Sequence, residues 1–356
     1  MMNIALKIQE LLEVTASRGA SDLHLVAGRH PTIRIDGSLI PLVKEAILSP
    51  EETEQFAFSL TFPEQKERFL EQGELDFAYD FKGKARFRVN IYRERGFVAV
   101  ACRFIPNKIR TLSELNLPES LSRFTDVSQG LLLVTGPIGH GKSTTLASLI
   151  NEINHKRNVH ILTVEDPVEY VFEPDRALVT QREVKRDTKD FYTALVHTFR
   201  QDVDVIMIGE MRDPETMATV ITAAETGHLV FATLHTNSAS QTIDRVVDSF
   251  PPSQQSQICI QLAASLLGVV SQRLIPRSDG GRIPACEIML ANGAVRNLIR
   301  ENKTHQIDMV ISTSFDEGMI GLDKYLADLV SRGEIALESA ERYSLNREGM
   351  REMLGG

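Results

Sequence analysis

The stretch "LLLVTGPIGHGKSTT", residues 131–145, decides how this chain is read. Its first part is a continuous apolar run ending at Gly136, the pattern of a strand buried on both faces. Its second part satisfies G-x-x-x-x-G-K-[ST] with Gly136, Gly141, Lys142 and Ser143, and a helical pattern runs from Lys142 to about His155. A strand handed to a helix through a glycine-rich turn is the context that gives such a match meaning. Chance alone produces the spacing in on the order of one such chain in a hundred. Each part has a physical task. The glycines let successive backbone amides turn inward around phosphate oxygens, and the helix N-terminus adds unpaired amides and a favourable dipole. Lys142 supplies a mobile positive charge, and the Ser143 hydroxyl suits Mg²⁺. The predicted phosphate-binding loop is therefore Gly136, Pro137, Ile138, Gly139, His140, Gly141, Lys142, Ser143 and Thr144.

Ile138 and His140 are large residues for such a loop. Its contacts come from the backbone, so the plain expectation is that both side chains point away and are tolerated. The sharper expectation is that His140 makes nucleotide handling pH-sensitive or touches a neighbouring subunit.

Outward from the loop, apolar strands alternate with helices. "VHILTVED", "ALVTQREV", "VDVIMIGE" and "LVFATLHT" read as strands, with helices at about 189–201, 214–226 and 238–249. That alternation predicts a mostly parallel sheet covered on both faces. The most apolar window, "ICIQLAASLLGVV" (258–270), is too short to span a bilayer and reads as a buried core helix. Beyond about residue 290 the chain reads as helical. Before the loop, residues 1–105 read as a small α+β domain. An amphipathic helix carries Ile4, Ile8, Leu11 and Leu12, and several short alternating runs predict an antiparallel sheet with helices on one face. The expected division is 1–105, a linker at 106–120, a core at 121–290 and a helical region at 291–356.

Composition narrows the function. A net charge of −9 provides no overall basic field for nucleic acid or anionic lipid. Cys102, Cys259 and Cys286 form no C-x-x-C pair, which argues against a zinc knuckle and a disulfide framework and suits a reducing cytoplasm. The N-terminus has acids and a lysine where a signal peptide needs an apolar run.

Phosphoryl transfer also needs acids, for Mg²⁺ and for the attacking water. "VDVIMIGEMRD" sets Glu210 at the C-terminal end of one strand, and "ILTVEDPVEY" sets Glu165, Asp166 and Glu169 at the end of another. That edge is where open α/β sheets bind ligands.

Taken in order, "GPIGHGKSTT", "VEDPVEY", "QREVKRDT", "GEMRDPET" and "TAAETGHLVFATLHTNSA" resemble the type II/IV secretion ATPase family. They correspond to its Walker A, aspartate box, Walker B and histidine box. The similarity runs over essentially the whole chain, and "EIMLANGAVRNLIRENK" resembles the motif of the twitching-motility retraction ATPases, the PilT type. Extension and secretion relatives typically carry a tetracysteine zinc element that this chain lacks, which favours retraction.

The resemblance implies an N-terminal PAS-like α+β domain, a RecA-like P-loop core and a helical C-terminal region. It implies ATP and ADP as ligands with Mg²⁺ held by Ser143 and Glu210, and Glu165 and Asp166 near the attacking water. His228 and His235 match the histidine box, Arg200 and Arg212 match family positions in the core, and Arg88 and Arg103 are candidates from the N-terminal domain for neutralising γ-phosphate charge. For Arg86, Arg93 and Arg95 the expectation is a solvated basic strand edge. The implied assembly is a homo-hexamer, cytoplasmic and peripheral to the inner face of the cytoplasmic membrane at the pilus base. There it would act on an inner-membrane platform protein, with a paralogous retraction ATPase as an optional partner, no nucleic acid and no transmembrane segment of its own. Closure of the N-terminal domain over a neighbour's core would turn hydrolysis into movement. Residues 293–302 would be a surface for retraction as well as a packed helix. Departures from the family pattern are Ile138, His140, Val203 and Ala232, none of which removes a reacting group. An extension, accessory-retraction or type II secretion ATPase, an ATP-binding scaffold without turnover and a nucleic-acid translocase remain as rival readings.

Overall fold

The computed structural model describes residues 4–35, 37–81, 83 and 85–355. The chain forms two compact units. The first comprises Met1–Lys108 and Asp166–Val171; the second comprises Ile109–Glu165 and Phe172–Gly356.

The first unit contains α1 (Ile4–Ser17), β1 (Asp22–Leu25), β2 (Thr32–Ile35) and β3 (Ser38–Pro41). These are followed by α2 (Pro50–Ser59), α3 (Pro63–Gln72), β4 (Glu74–Phe81), β5 (Ala85–Glu94) and β6 (Phe97–Ile105). Its six strands form one antiparallel sheet in the order β3-β2-β1-β6-β5-β4. The pleat sorts side chains by parity: Ala85, Phe87, Val89 and Ile91 of β5 are buried, and Arg86, Arg88, Asn90 and Tyr92 take the other face. The buried face joins Ile8, Leu11 and Leu12 of α1, Phe56 of α2 and Phe69 of α3 in one core. Ser49 starts α2 with a capping box to Glu52, which satisfies amides that the helix itself leaves unpaired.

In the second unit β7 (Gly130–Thr135) leads through the glycine loop into α4 (Lys142–Lys156), then β8 (His160–Glu165) and β9 (Leu178–Glu183). After these come α5 (Phe191–Thr198), β10 (Val205–Ile208), α6 (Pro214–Glu225), β11 (Leu229–Leu234), α7 (Ala239–Asp248) and α8 (Pro252–Ser265). Two strands close the sheet, β12 (Leu266–Pro276) and β13 (Arg282–Leu290). The order is β13-β12-β7-β11-β10-β8-β9, and every neighbouring pair is parallel except β12 with β13. Because β8 lies three places from β7, the later strands β10 and β11 fill the gap between them. The C-terminal ends of β7, β11, β10 and β8 therefore line one edge, with the glycine loop among them.

One sequence expectation is corrected here. "ICIQLAASLLGVV" is not a single helix: α8 stops at Ser265, and Leu266–Val270 pairs with Leu131–Val134 of β7. A continuous apolar run carries no period that separates a buried helix from a buried strand. The boundary between units falls at Lys108, and Leu112 and Leu117 beyond it are buried.

The C-terminal part is helical, with α9 (Gly293–Arg300), α10 (Ile307–Thr313), α11 (Leu322–Ser331), α12 (Leu337–Tyr343) and α13 (Arg347–Met353). Leu322, Leu326, Leu329, Ala340 and Met350 pack on Ile275 and Ile283 of the last two strands. Among the described residues no helix is long and apolar enough to cross a membrane.

Candidate nucleotide site

The glycine loop has the backbone that its sequence demands. Gly136, Gly139 and Gly141 hold φ of 140°, 78° and 84°, a region that side chains strongly disfavour. A Cβ on Gly136 would also collide with the carbonyl oxygen of Gln272. Gly141 is the residue before α4, and it leaves the first amides of that helix without a side-chain cap. Lys142 is 8% exposed, and its Nζ donates to Gly136 O at 2.9 Å and Pro137 O at 3.0 Å. Ser143 is exposed in the first turn of α4, and Thr144 is half-buried.

The two unusual residues separate. Ile138 is 78% exposed and points away from the loop, as tolerance requires. His140 is built into the fold: its Nδ1 accepts from Leu274 N at 2.9 Å, and its ring meets Tyr343 of α12 edge-on at 6.1 Å. Accepting at Nδ1 leaves the neutral ring's proton on Nε2. Burial lowers its pKa below the usual 6.5, and the charges of Arg273, Arg282 and Lys142 push the same way. His140 thus reaches its own chain's last strands and C-terminal helices.

Three strand ends bring chemistry to the loop. His235, just past β11, places Nδ1 3.2 Å from Lys142 Nζ and Nε2 3.5 Å from Glu210 Oε2. The ammonium can only donate, so Nδ1 accepts and Nε2–H faces the carboxylate. Glu210, just past β10, also pairs with Arg212, whose side chain is 69% exposed. The result is a continuous line of Lys142, His235, Glu210 and Arg212. Glu165 closes β8 at 7% exposure, and its Oε1 accepts from Thr163 Oγ1 at 2.8 Å and Gln181 Nε2 at 3.4 Å.

Other expected residues lie elsewhere. His228 precedes β11, and its Nδ1 meets Ala223 O at 3.1 Å while its ring stacks edge-on with Phe199. The strand's length separates it from His235 by about 20 Å. Arg200 is exposed in the turn before β10, at the same far edge. Asp166 groups with the first unit. In that unit Arg88 and Arg103 sit directly opposite each other on β5 and β6. Arg88 lies 3.7 Å from Glu169, and Arg103 lies 3.1 Å from Asp22. Arg86 is not simply solvated, since its Nε donates to Val168 O at 3.0 Å. Arg95 does match a solvated edge, 80% exposed beside Glu94, whereas the Arg93 guanidinium lies over the Phe69 ring at 5.4 Å.

Sequence reasoning missed Thr163 and Gln181, which orient Glu165. Nothing local marks them, because one faces its own strand and the other crosses from β9. It also missed Gln272 and Arg273 of β12. Arg273 donates from Nη2 to Asn237 O and Oδ1 at 2.8 and 3.0 Å, tying down the segment that follows His235.

The two residues expected to hold Mg²⁺ suit what that ion takes. Ser143 offers an exposed hydroxyl and Glu210 a carboxylate, and Mg²⁺ uses one or two protein oxygens beside phosphate and water. A richer cluster of ligands is not required, and among the described residues there is none.

A mostly parallel sheet, a glycine loop running into a helix and acids on neighbouring strand ends define a P-loop ATPase with a RecA-like core. The family model described as type II/IV secretion system protein matches residues 3–313, and this chain belongs to that family. It is 47% identical over 336 residues to the type IV pilus retraction ATPase PilT of Pseudomonas aeruginosa, covering 94% of this chain and 96% of that one. To the type IV pilus ATPase PilU of the same organism it is 37% identical, covering 98% and 91%. A crystal structure of the pilus retraction motor PilT with bound ADP matches at a TM-score of 0.89 and 44% identity, covering 97% of this chain and 99% of that one.

Proposed function

We propose that this chain is the ATP-hydrolysing motor that retracts a type IV pilus. The observation that carries the reading is the line from Lys142 through His235 to Glu210 at the C-terminal edge of the sheet, in a chain that matches a pilus retraction motor nearly end to end. Amides of the loop 136–143 would cradle the phosphates of ATP. Lys142 Nζ would exchange the carbonyls of Gly136 and Pro137 for phosphate oxygens. Ser143 and Glu210 would hold Mg²⁺, which when bound spreads the charge on the β- and γ-phosphates. Glu165, held by Thr163 and Gln181, would orient the attacking water. His235 touches both the phosphate-binding lysine and the carboxylate of Glu210, so its position reports which partner Lys142 has.

Retraction fits the chain better than the accessory role, given the higher identity to PilT than to PilU. The working form would be a homo-hexamer at the inner face of the cytoplasmic membrane, acting on a platform protein, with a paralogous ATPase as a second partner. Helix α9 suits a contact surface. Val295 and Ile299 anchor it, Arg296 ties it to the end of α8 through Ala264 O and Leu266 O at 2.8 Å, and Gly293, Ala294, Asn297 and Arg300 are exposed. Phosphate release by the purified protein tests the enzymatic part. Lys142→Ala should lower turnover by at least about a hundredfold. Turnover that does not depend on Lys142 would overturn the assignment.

A further inference from the structure

β12 outruns its neighbour. The last β12 residue paired with β7 is Ser271, opposite Thr135, and residues 272–276 continue beyond it. The edge so exposed is where the phosphate loop rests, and Gln272 lies at the junction. It is 2% exposed, and every polar atom of its amide is used. Oε1 accepts from Thr145 Oγ1 at 2.7 Å, and Nε2 donates to His140 O at 2.8 Å. Its own carbonyl abuts Gly136, and a Cβ on Gly141 would come within 2.9 Å of its Nε2. Gly136 is therefore required by this neighbour's backbone as well as by its own angle, and a Cβ at Gly141 would press on the Gln272 amide.

The bond to His140 O fixes more than a distance. The carbonyl of His140 and the amide of Gly141 belong to one planar trans peptide, so they point in opposite directions. Holding the oxygen outward on Gln272 turns the Gly141 N–H toward the inside of the loop. That peptide can otherwise turn at its Gly141 end, because Gly141 tolerates either sign of φ. The donors that cradle phosphate need to be aimed before the anion arrives.

We propose that Gln272 is a positioning residue for nucleotide binding: it locks the 140–141 peptide so that the Gly141 amide faces the phosphates. Thr145 keeps the amide of Gln272 in register by occupying its oxygen, which leaves the nitrogen for His140. The inference rests on the loop holding a nucleotide's phosphates, as proposed above.

The test is titration of full-length protein with a fluorescent ADP (N-methylanthraniloyl-ADP), beside melting curves and steady-state ATP kinetics. Gln272→Met keeps the volume and removes both bonds; Thr145→Val removes only the hydroxyl that orients the amide. Gln272→Met should weaken ADP binding about tenfold or more, and Thr145→Val by a smaller factor. KM should rise by more than kcat falls, because the cost lies in forming the grip. Adding Thr145→Val to Gln272→Met should cost little further, since both act through one bond network. ADP affinity within twofold of the parent in both single variants, with only the melting temperature lowered, would make Gln272 a packing residue and overturn the proposal. Parent protein that binds no ADP would overturn this inference and the nucleotide assignment together. Parent protein that binds ADP normally beside unaffected variants would overturn this inference alone.

Discussion

Replacing His140 with serine restores the small residue usual in this loop and tests what the imidazole does here. The substitution removes the acceptor for Leu274 N and the edge-on contact with Tyr343. An intramolecular hydrogen bond is worth about 0.5–1.5 kcal/mol net, and an aromatic edge contact about 0.5–1.5 kcal/mol. The ring is only half-buried, so water can reach Leu274 N in the variant and the low end applies. A total near 1–2 kcal/mol corresponds to a roughly five- to thirtyfold fall in the ratio of ordered to disordered loop, which sets the largest loss of affinity. ADP affinity should fall within that range at pH 7.5. The pH dependence has a definite sign. Folding lowers the pKa of His140, so the unfolded chain takes the proton first. Its contribution is complete above the ordinary value of 6.5 and is lost as pH falls below it. Once protonated, Nδ1 can no longer accept from Leu274 and faces the cations Arg273, Arg282 and Lys142. The parent should therefore lose ADP affinity on acidification from pH 7 to 5.5 by more than His140→Ser does. An unchanged affinity at pH 7.5 with the parent's pH profile intact would refute the reasoning.

Glu287, 5% exposed on β13, accepts from Ala239 N at 2.6 Å, and burial pushes its carboxyl up to about 7. The folded protein thus holds this proton more tightly than the unfolded chain, and the stabilisation present below pH 4.5 is lost as pH rises through 7. Melting curves from pH 5 to 8 should show a loss of about 1–3 kcal/mol that is absent in Glu287→Gln. Glu210→Gln should cut ATP turnover about 10²- to 10³-fold while ADP binding stays within a few-fold, read by phosphate release and by titration.

The parts of this fold that were legible in sequence are those where local pattern and chemistry coincide. Residues 131–145 combine an apolar strand, three glycines and a lysine, and the structure places them as β7, the loop and α4. Glu165 and Glu210 were legible because an acid that ends an apolar strand must sit at a sheet edge. β12 was not, since Leu266–Val270 continues the apolar character of α8 and only its pairing with β7 makes it a strand. Gln272 acts on residues more than a hundred positions away, and no spacing rule reaches that far. The family resemblance singled out His228 and Arg200, but the direction of the strands sets both at the edge away from the loop. His140 was flagged by being odd for its position, while its partners Leu274 and Tyr343 come from elements read only as distant segments.

The most direct measurement is made in cells that build type IV pili with this chain as their retraction motor. Deleting it and complementing with either the parent or Glu210→Gln, surface pili would be counted and motility scored together. The account predicts abundant, immobile pili in the deletion and in the Glu210→Gln strain, with normal numbers and movement restored by the parent. Cells left without pili by the deletion would show that the motor extends the filament, and would contradict it.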